Sequence, residues 1–396
     1  MDETNEKRTS HFGIWGIHAA APGDSLSMAT SADASINYFR GAFSLVCGPY
    51  PGSHTRERTF MPTAFFTLRG LAALLLLGAL PCAAGSFTFT TVNDPAYPTF
   101  TEVYGINNSG ELTGLIPGGA NGDDAGFLNN GSTWTSLVPP GATGPTIASG
   151  VSGSGHVVGY YNDGSGTYDG FLYNGATYTI LNDPLANAHS TDAQGISNNG
   201  AEIAGYYLNA SGYHGFLYNG STYTTLNDPN AIGTGATYAT GVNNSSEVAG
   251  YFEDSTGNYD GFLYNGSTYT TLNDPSACAG CRTFANGIND SGLVVGYYYD
   301  SAGGIHGFLY NGSTYTTIDD PLANPGTTAA YGINDSGQIA GTFQSGSYTY
   351  SGFVAESSAA PEPSAAVTGA LGLALLLVCA VRRSRRSLDG RTSCGN

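Results

Sequence analysis

GFLYNGSTYTTLNDP (Gly261–Pro275), the later GINDSGLVVGYY (Gly287–Tyr298), and SFTFTTVNDP (Ser86–Pro95), alone ahead of the first full unit, together decide the fold. The element Gly-Ile/Val-Asn/Ser recurs at Gly105, Gly150, Gly195, Gly241, Gly287 and Gly332, with a period of 45 to 46 residues. The element Gly-Phe recurs at Gly126, Gly170, Gly215, Gly261, Gly307 and Gly352. A fixed period of this length marks a repeat architecture, in which each unit buries its apolar face against its neighbours. It also argues against a single catalytic group unique to one unit.

Each unit reads as four short strands. In the fourth unit they are TYATGV (237–242), EVAGYF (247–252), GFLYN (261–265) and STYTTL (267–272). NNSS, NNSG, NDSG and NG between strands carry hairpin-turn chemistry. Asn-Asp-Pro ends the fourth strand, because proline cannot donate to a ladder. Phe262 and Tyr264 point one way and Leu263 the other, which suits a sheet covered on both faces. The opening SFTFTTV matches a fourth strand without its first three, and the sixth unit stops after its third strand, at GFVAE (Gly352–Glu356). The two partial units make one whole. The expectation is an all-β, six-bladed β-propeller over residues 85–356, with Ser86–Val92 as the outermost strand of the closing blade. A β-solenoid is the alternative.

Composition agrees. Of 396 residues only 11% are charged, while 58 are Gly and 27 are Tyr. Glycine and asparagine supply the positive φ of tight turns, and aromatic residues fill pleated surfaces. Phe252, Phe262, Tyr264 and Tyr269 provide apolar area that a disordered polar tract lacks. Residues 85–356 hold 22 Asp/Glu and one cation, Arg282. That excludes a basic nucleic-acid footprint and repels phosphates and acidic sugars. Partners should be neutral, cationic or metal-bridged.

Two apolar segments flank the repeats. From Met61, MPTAFFTLRGLAALLLLGALPCAAGS has signal-peptide form: Arg69, then Leu71–Leu80, then small residues, with cleavage between Ala84 and Gly85. Acylation at Cys82 is disfavoured by Pro81 before it. Residues 1–60 lack the repeat and are expected to be an overrun ahead of a true start at Met61; a long atypical leader is the alternative. At the other end, residues 357–364 form a linker containing Pro361-Glu362-Pro363. An apolar run, 365–381, follows, long enough at about 1.5 Å per residue to cross a bilayer as a helix. The basic tail 382–396 carries Arg382, Arg383, Arg385 and Arg386, which would hold that end in the cytoplasm.

Pro-Glu-Pro, apolar helix and arginines, in that order, resemble the PEP-CTERM sorting signal of Gram-negative bacteria. The resemblance covers about 26 residues and implies an exosortase-type processing enzyme as partner. It also implies an inner-membrane-anchored precursor, then delivery to the outer surface or extracellular polymer matrix. A plain single-pass anchor is the alternative. The tail SLDGRTSCGN (387–396) continues past the arginines. The repeats are similar to those of bacterial extracellular proteins with a His-Ala-Phe core. The matching positions read His-Gly-Phe at His214 and His306 and Asp-Gly-Phe at Asp169 and Asp260. That likeness implies no established activity.

Candidate chemistry is sparse. Cys278 and Cys281, in CAGC, cannot close a four-ligand zinc site alone; after export a small disulfide is expected. Asp163 with Asp169, and Asp254 with Asp260, recur in one loop, where Asp300 is followed by His306. They read as turn carboxylates, with calcium as the alternative. NNGSTW (Asn129–Trp134) is an incomplete Asp-box, and one arginine cannot supply the three-arginine clamp of a sialidase. No GxSxG elbow appears, and His156, His189, His214 and His306 have no evident acid partner. No catalytic, cofactor or metal residue is assigned. The expectation is a non-enzymatic, exported structural or adhesive component of the cell surface or matrix. The alternative is a carbohydrate-binding propeller, with Tyr160 and Tyr161 as exposed stacking platforms for an extracellular polysaccharide. A hydrolase or lyase working in the central channel is the third reading.

Overall fold

Local turn chemistry cuts the chain into strands. Asn265 Oδ1 accepts from the backbone N–H groups of Ser267 and Thr268, at 3.1 and 2.9 Å. Gly266 between them takes φ +90°, a left-handed conformation that glycine adopts at little cost. Asn219 and Asn311 do the same in the third and fifth units. Ser267 and Thr268 therefore belong to the turn, and the outer strand of the fourth unit is Tyr269–Leu272, shorter than the expected 267–272. The strand before it is Tyr259–Tyr264, beginning two residues before the expected Gly261.

The computed structural model describes residues 87–357, apart from 119–121, 234, 279, 281 and 348. Among these, twenty-four strands form six four-stranded sheets, ordered inner to outer as they follow in sequence. The sixth sheet alone is composite. Its inner three strands are Thr328–Ile333, Ile339–Gly346 and Thr349–Ser357, and its outer strand is Phe87–Val92. That strand pairs antiparallel with the third, from Phe87↔Ser357 to Val92↔Gly352. The inner strands pack each against the next, and the last against the first. The ring is closed, as a six-bladed β-propeller requires and an open solenoid does not.

The recurring glycines explain the closure. At Gly105, Gly150, Gly195, Gly241, Gly287 and Gly332 the inner strand carries a bulge, skipping one residue in the ladder. A methyl group at any of them would meet the Cα of the next glycine in the series at 2.9–3.3 Å, and Gly332 meets Gly105. Six backbones thus touch around the axis. Farther out, the Phe of every Gly-Phe pair is fully buried (Phe127, Phe171, Phe216, Phe262, Phe308, Phe353). Each contributes roughly 1.5–3 kcal/mol of hydrophobic stabilisation.

Asn-Asp-Pro is also a lock. The Asp N–H donates to the hydroxyl of the threonine that opens the next inner strand, in pairs such as Asp94–Thr101, Asp183–Thr191 and Asp228–Thr237, at 3.0 Å. In the second blade the preceding segment reads Val138-Pro139-Pro140. Pro139 stands where the aspartate would be and has no N–H, so Thr146 Oγ1 is buried without a hydrogen-bond partner.

The signal segment 61–84, residues 1–60, Pro361–Pro363, the apolar run 365–381 and the arginines of 382–386 lie outside the described residues. Among the described residues no helix is long and apolar enough to cross a membrane.

Candidate functional site at the tyrosine-lined mouth

The two ends of the ring differ in chemistry. Where inner strands turn into second strands, side-chain amides stitch blade to blade. Asn243 Nδ2 donates to the Asn289 carbonyl, Asn289 to Asn334 and Asn334 to Asn107, at 3.1, 3.0 and 3.0 Å. Asn107 Nδ2 donates to the Ser152 carbonyl at 2.8 Å. These groups are spent on structure.

The opposite mouth is built from the first turn of each inner strand and the end of each second strand. The residue after the second-strand glycine is Tyr160, Tyr206, Tyr251 and Tyr297 in blades two to five. In blades three to five these rings join Tyr238 and Phe284 of the inner strands and Tyr213, Tyr259 and Tyr299 of the rim in one aromatic cluster. Tyr238 stacks on Tyr251 at 4.7 Å, Tyr251 meets Phe284 edge-on at 4.8 Å, and Phe284 stacks on Tyr297 at 4.8 Å. Offset and edge-on pairs of this kind hold rings rigidly. Arg282 lies 5.4 Å from the Tyr259 ring centre and 6.0 Å from that of Tyr299, within cation–π range. Tyr251 is only 2% exposed, and its hydroxyl has no hydrogen-bond partner.

Beside this cluster the lining is acidic. Inner-strand positions that are apolar in blades two and six (Ile147, Ala329) hold Glu102 in blade one and Asp192 in blade three. Glu102 is 5% exposed. Burial pushes its carboxyl up to about 7; a hydrogen bond from Tyr104 opposes this and the nearby Asp124 adds to it. Burial raises half-buried Asp192 to about 7 too, against a hydrogen bond with Tyr206. Burial likewise raises Tyr160, with further contributions from the charges of Asp192, Tyr168 and Glu102, against a hydrogen bond with Gln194. The bulge residues Tyr104, Gln194 and Tyr331 complete the lining. Gln194 Nε2 donates to the Tyr206 hydroxyl at 3.4 Å, and Tyr104 meets Tyr331 edge-on at 5.0 Å.

Histidines and aspartates form a second constellation on the outer rim, and two of the four histidines, His189 and His306, have acid partners, contrary to the sequence reading. His189 Nδ1 sits 2.8 Å from Asp169 and 3.2 Å from Asp163. His306 bridges Asp319 at 3.0 Å and Asp300 at 3.3 Å. His214 contacts Asn227 and Ser211, both at 2.8 Å. The partners come from different strands and loops, so linear spacing hides them. The hydrogen bond and charge of Asp169, then the charge of Asp163, hold His189 above its ordinary pKa. Burial would lower His306, but Asp319 and Asp300 overcome it. Asp163, Asp169 and His189 could offer one ligand atom each, within 4.8 Å of one another. Calcium prefers six to eight oxygens, and this trio offers an imidazole nitrogen in place of a third carboxylate. Asp163, Asp254 and Asp300 each cap their own turn, accepting backbone N–H groups of Ser165, Thr256 and Ala302 at 2.9, 2.7 and 2.8 Å.

Of the tyrosines read as stacking platforms, Tyr160 lines the mouth. Tyr161 is a correction: at 4% exposed it packs in the blade core with Phe171 and Val157. Successive strand residues face opposite ways, so the two could not share a surface. Cys278 is disulfide-bonded, while Cys281 lies outside the described residues, as do Ala84, Gly85, Pro361, Glu362, Pro363, Arg382, Arg383, Arg385 and Arg386. Glu102 and Asp192 were missed by sequence reasoning. The available signal was an acid at a register position that is apolar or aromatic in the other repeats.

No family model and no curated protein matches the sequence. Solved structures do. A mutant lectin of Aleuria aurantia in complex with Fucalpha1-6GlcNAc is 14% identical with a TM-score of 0.43, over 66% of this chain and 98% of that one. Another Aleuria aurantia lectin structure, described as a six-bladed β-propeller with a novel fucose recognition mode, is 14% identical with a TM-score of 0.41, over 68% and 91%. TolB from Acinetobacter baumannii is 8% identical with a TM-score of 0.43, over 62% of this chain and 64% of its own. The six-bladed closure rests on the chain's own strand order.

Proposed function

We propose that this chain is an exported, non-enzymatic propeller of the cell surface or extracellular polymer matrix, and that it adheres to carbohydrate through its tyrosine-lined mouth. The observation that carries the reading is the rigid aromatic cluster of blades three to five, with the Tyr251 hydroxyl buried in it and unpaired. Aromatic faces stack on the apolar faces of sugar rings. A buried hydroxyl without a partner costs roughly 1–3 kcal/mol, which a sugar hydroxyl entering the mouth would recover. The strongly acidic surface disfavours acidic polymers. Glycan-array binding of the full chain tests this: signal on neutral or cationic glycans, lost in Tyr238→Ala and retained in Tyr269→Ala on the outer strand, is the expected result. Uniform absence of binding overturns it.

Export and sorting rest on the sequence. Pro361 and Pro363 impose an extended backbone that a processing enzyme can bind as a strand, with the apolar run and arginines fixing its distance from the bilayer. The reading makes this chain an exosortase substrate whose tail is removed. Mass spectrometry of surface material should find a C-terminus upstream of Arg382. Surface-exposed protein that still carries Arg382–Arg386 refutes it.

A further inference from the structure

We infer that the axial mouth recognises a positively charged amine, carried on a sugar ring, with the amine on the side of Glu102 and Asp192 and the ring against the tyrosines of blades three to five. The inference rests on the carbohydrate reading above and adds the chemical class of the sugar.

Three independent features converge. First, two carboxylates stand on the inner strands of blades one and three, flanking Tyr160 of blade two, and neither forms an ion pair among the described residues. All ion pairs there belong to His189 and His306. Burying a carboxylate without a cation is costly, and the cost falls when an ammonium group enters. Second, the aromatic cluster already holds a cation: Arg282, the one Lys or Arg of residues 85–356, lies over Tyr259 and Tyr299. Electron-rich ring faces that hold a guanidinium will hold an ammonium too. Third, the Tyr251 hydroxyl, buried and unpaired within the cluster, offers a hydrogen bond to a hydroxyl of the same ring. A neutral sugar would satisfy the tyrosines and leave both acids without a cation; a simple inorganic cation would do the reverse. An amino sugar satisfies both groups. The domain's strong negative charge would draw it in.

The test is titration calorimetry of the full chain with two ligands of equal length, a glucosamine tetramer and an N-acetylglucosamine tetramer, at one pH and low salt. The amine form should bind at least about tenfold more tightly, as expected for one desolvated charge contact. Tetramethylammonium chloride should compete with it more strongly than sodium chloride at equal ionic strength. Glu102→Gln and Asp192→Asn should each erase most of the preference for the amine form. Equal affinity for the two tetramers in the wild-type chain overturns the inference and leaves the carbohydrate reading standing. Binding of neither overturns the inference, and the glycan array then decides the carbohydrate reading. The wild-type comparison decides even if a variant fails to fold.

Discussion

Asn334 donates its side-chain amide to the backbone carbonyl of Asn107 at 3.0 Å, across 227 residues of sequence. The same bond joins blade four to five and blade five to six, so the seam between last and first blades uses the ring's ordinary joint. Serine replaces asparagine in the second and third blades, at Ser152 and Ser197, too short to reach across. Asn334→Ser should therefore cost about 1–2 kcal/mol, because it leaves a buried carbonyl with one partner fewer. Urea denaturation would read this as a lower midpoint. An unchanged midpoint would mean that the amide does not contribute to the seam.

The glycine ring gives a sharper expectation. At Gly241 an added methyl would meet the Asn286 carbonyl oxygen at 2.8 Å and the Gly287 Cα at 3.0 Å, both rigid backbone. Gly241→Ala must push two blades apart, at a cost of about 1–3 kcal/mol or more. Gly292 is the control: nothing lies within 4 Å, and only its positive φ is strained. Thermal melts of Gly241→Ala and Gly292→Ala should differ, with Gly241→Ala the less stable.

The closing strand can be tested by removal. Phe89 packs edge-on against fully buried Phe353 at 5.5 Å and fills the place of the outer-strand tyrosine of blades two to five. Deleting Ser86–Val92 would strip the third strand of the sixth sheet of its partner and expose an unpaired edge. The variant should aggregate or elute as oligomers. Monomeric elution with an unaltered melting temperature would show that the clasp is dispensable.

Glu102 makes a prediction in pH. Its carboxyl is raised from 4.5 to about 7 in the folded state, so between those values the native chain holds a proton that the unfolded chain has released. Its contribution is complete below the unfolded value and falls away as pH rises to the folded one. His189 and His306 move stability in the same direction at higher pH, and Asp163, Asp254 and Asp300, with lowered values, act only in acid. The difference between wild type and Glu102→Gln isolates the group. From pH 5 to 8 the wild-type melting temperature should fall more than that of the variant, and parallel curves would refute it.

Most of the architecture was legible because its causes are local and repeated. Asn265-Gly266 and Asn273-Asp274-Pro275 set strand ends by hydrogen bonds within a few residues, and the orphan strand at Ser86 revealed closure by simple mismatch of the two ends. The mouth was less legible. Glu102 and Asp192 are unremarkable acids in sequence; only the ring places them around one axis with Tyr160 between them. Tyr160 and Tyr161 are chemically identical, and only the facing of one strand separates a lining residue from a core residue. The rim pairs of His189 and His306 were hidden for the same reason, since their partners come from other strands.

Phe87 stands opposite Ser357 in the clasp, so the chain enters and leaves the ring at one point on its circumference. Tension applied between the two ends would peel six rungs apart one after another, the weakest way to load a ladder. Tension carried through a single end, against a ligand held in the mouth, loads the clasp differently and does not pull its two strands directly apart. The fold is mechanically suited to being tethered by one end only, and a linkage that stretched it from both would open it like a zip.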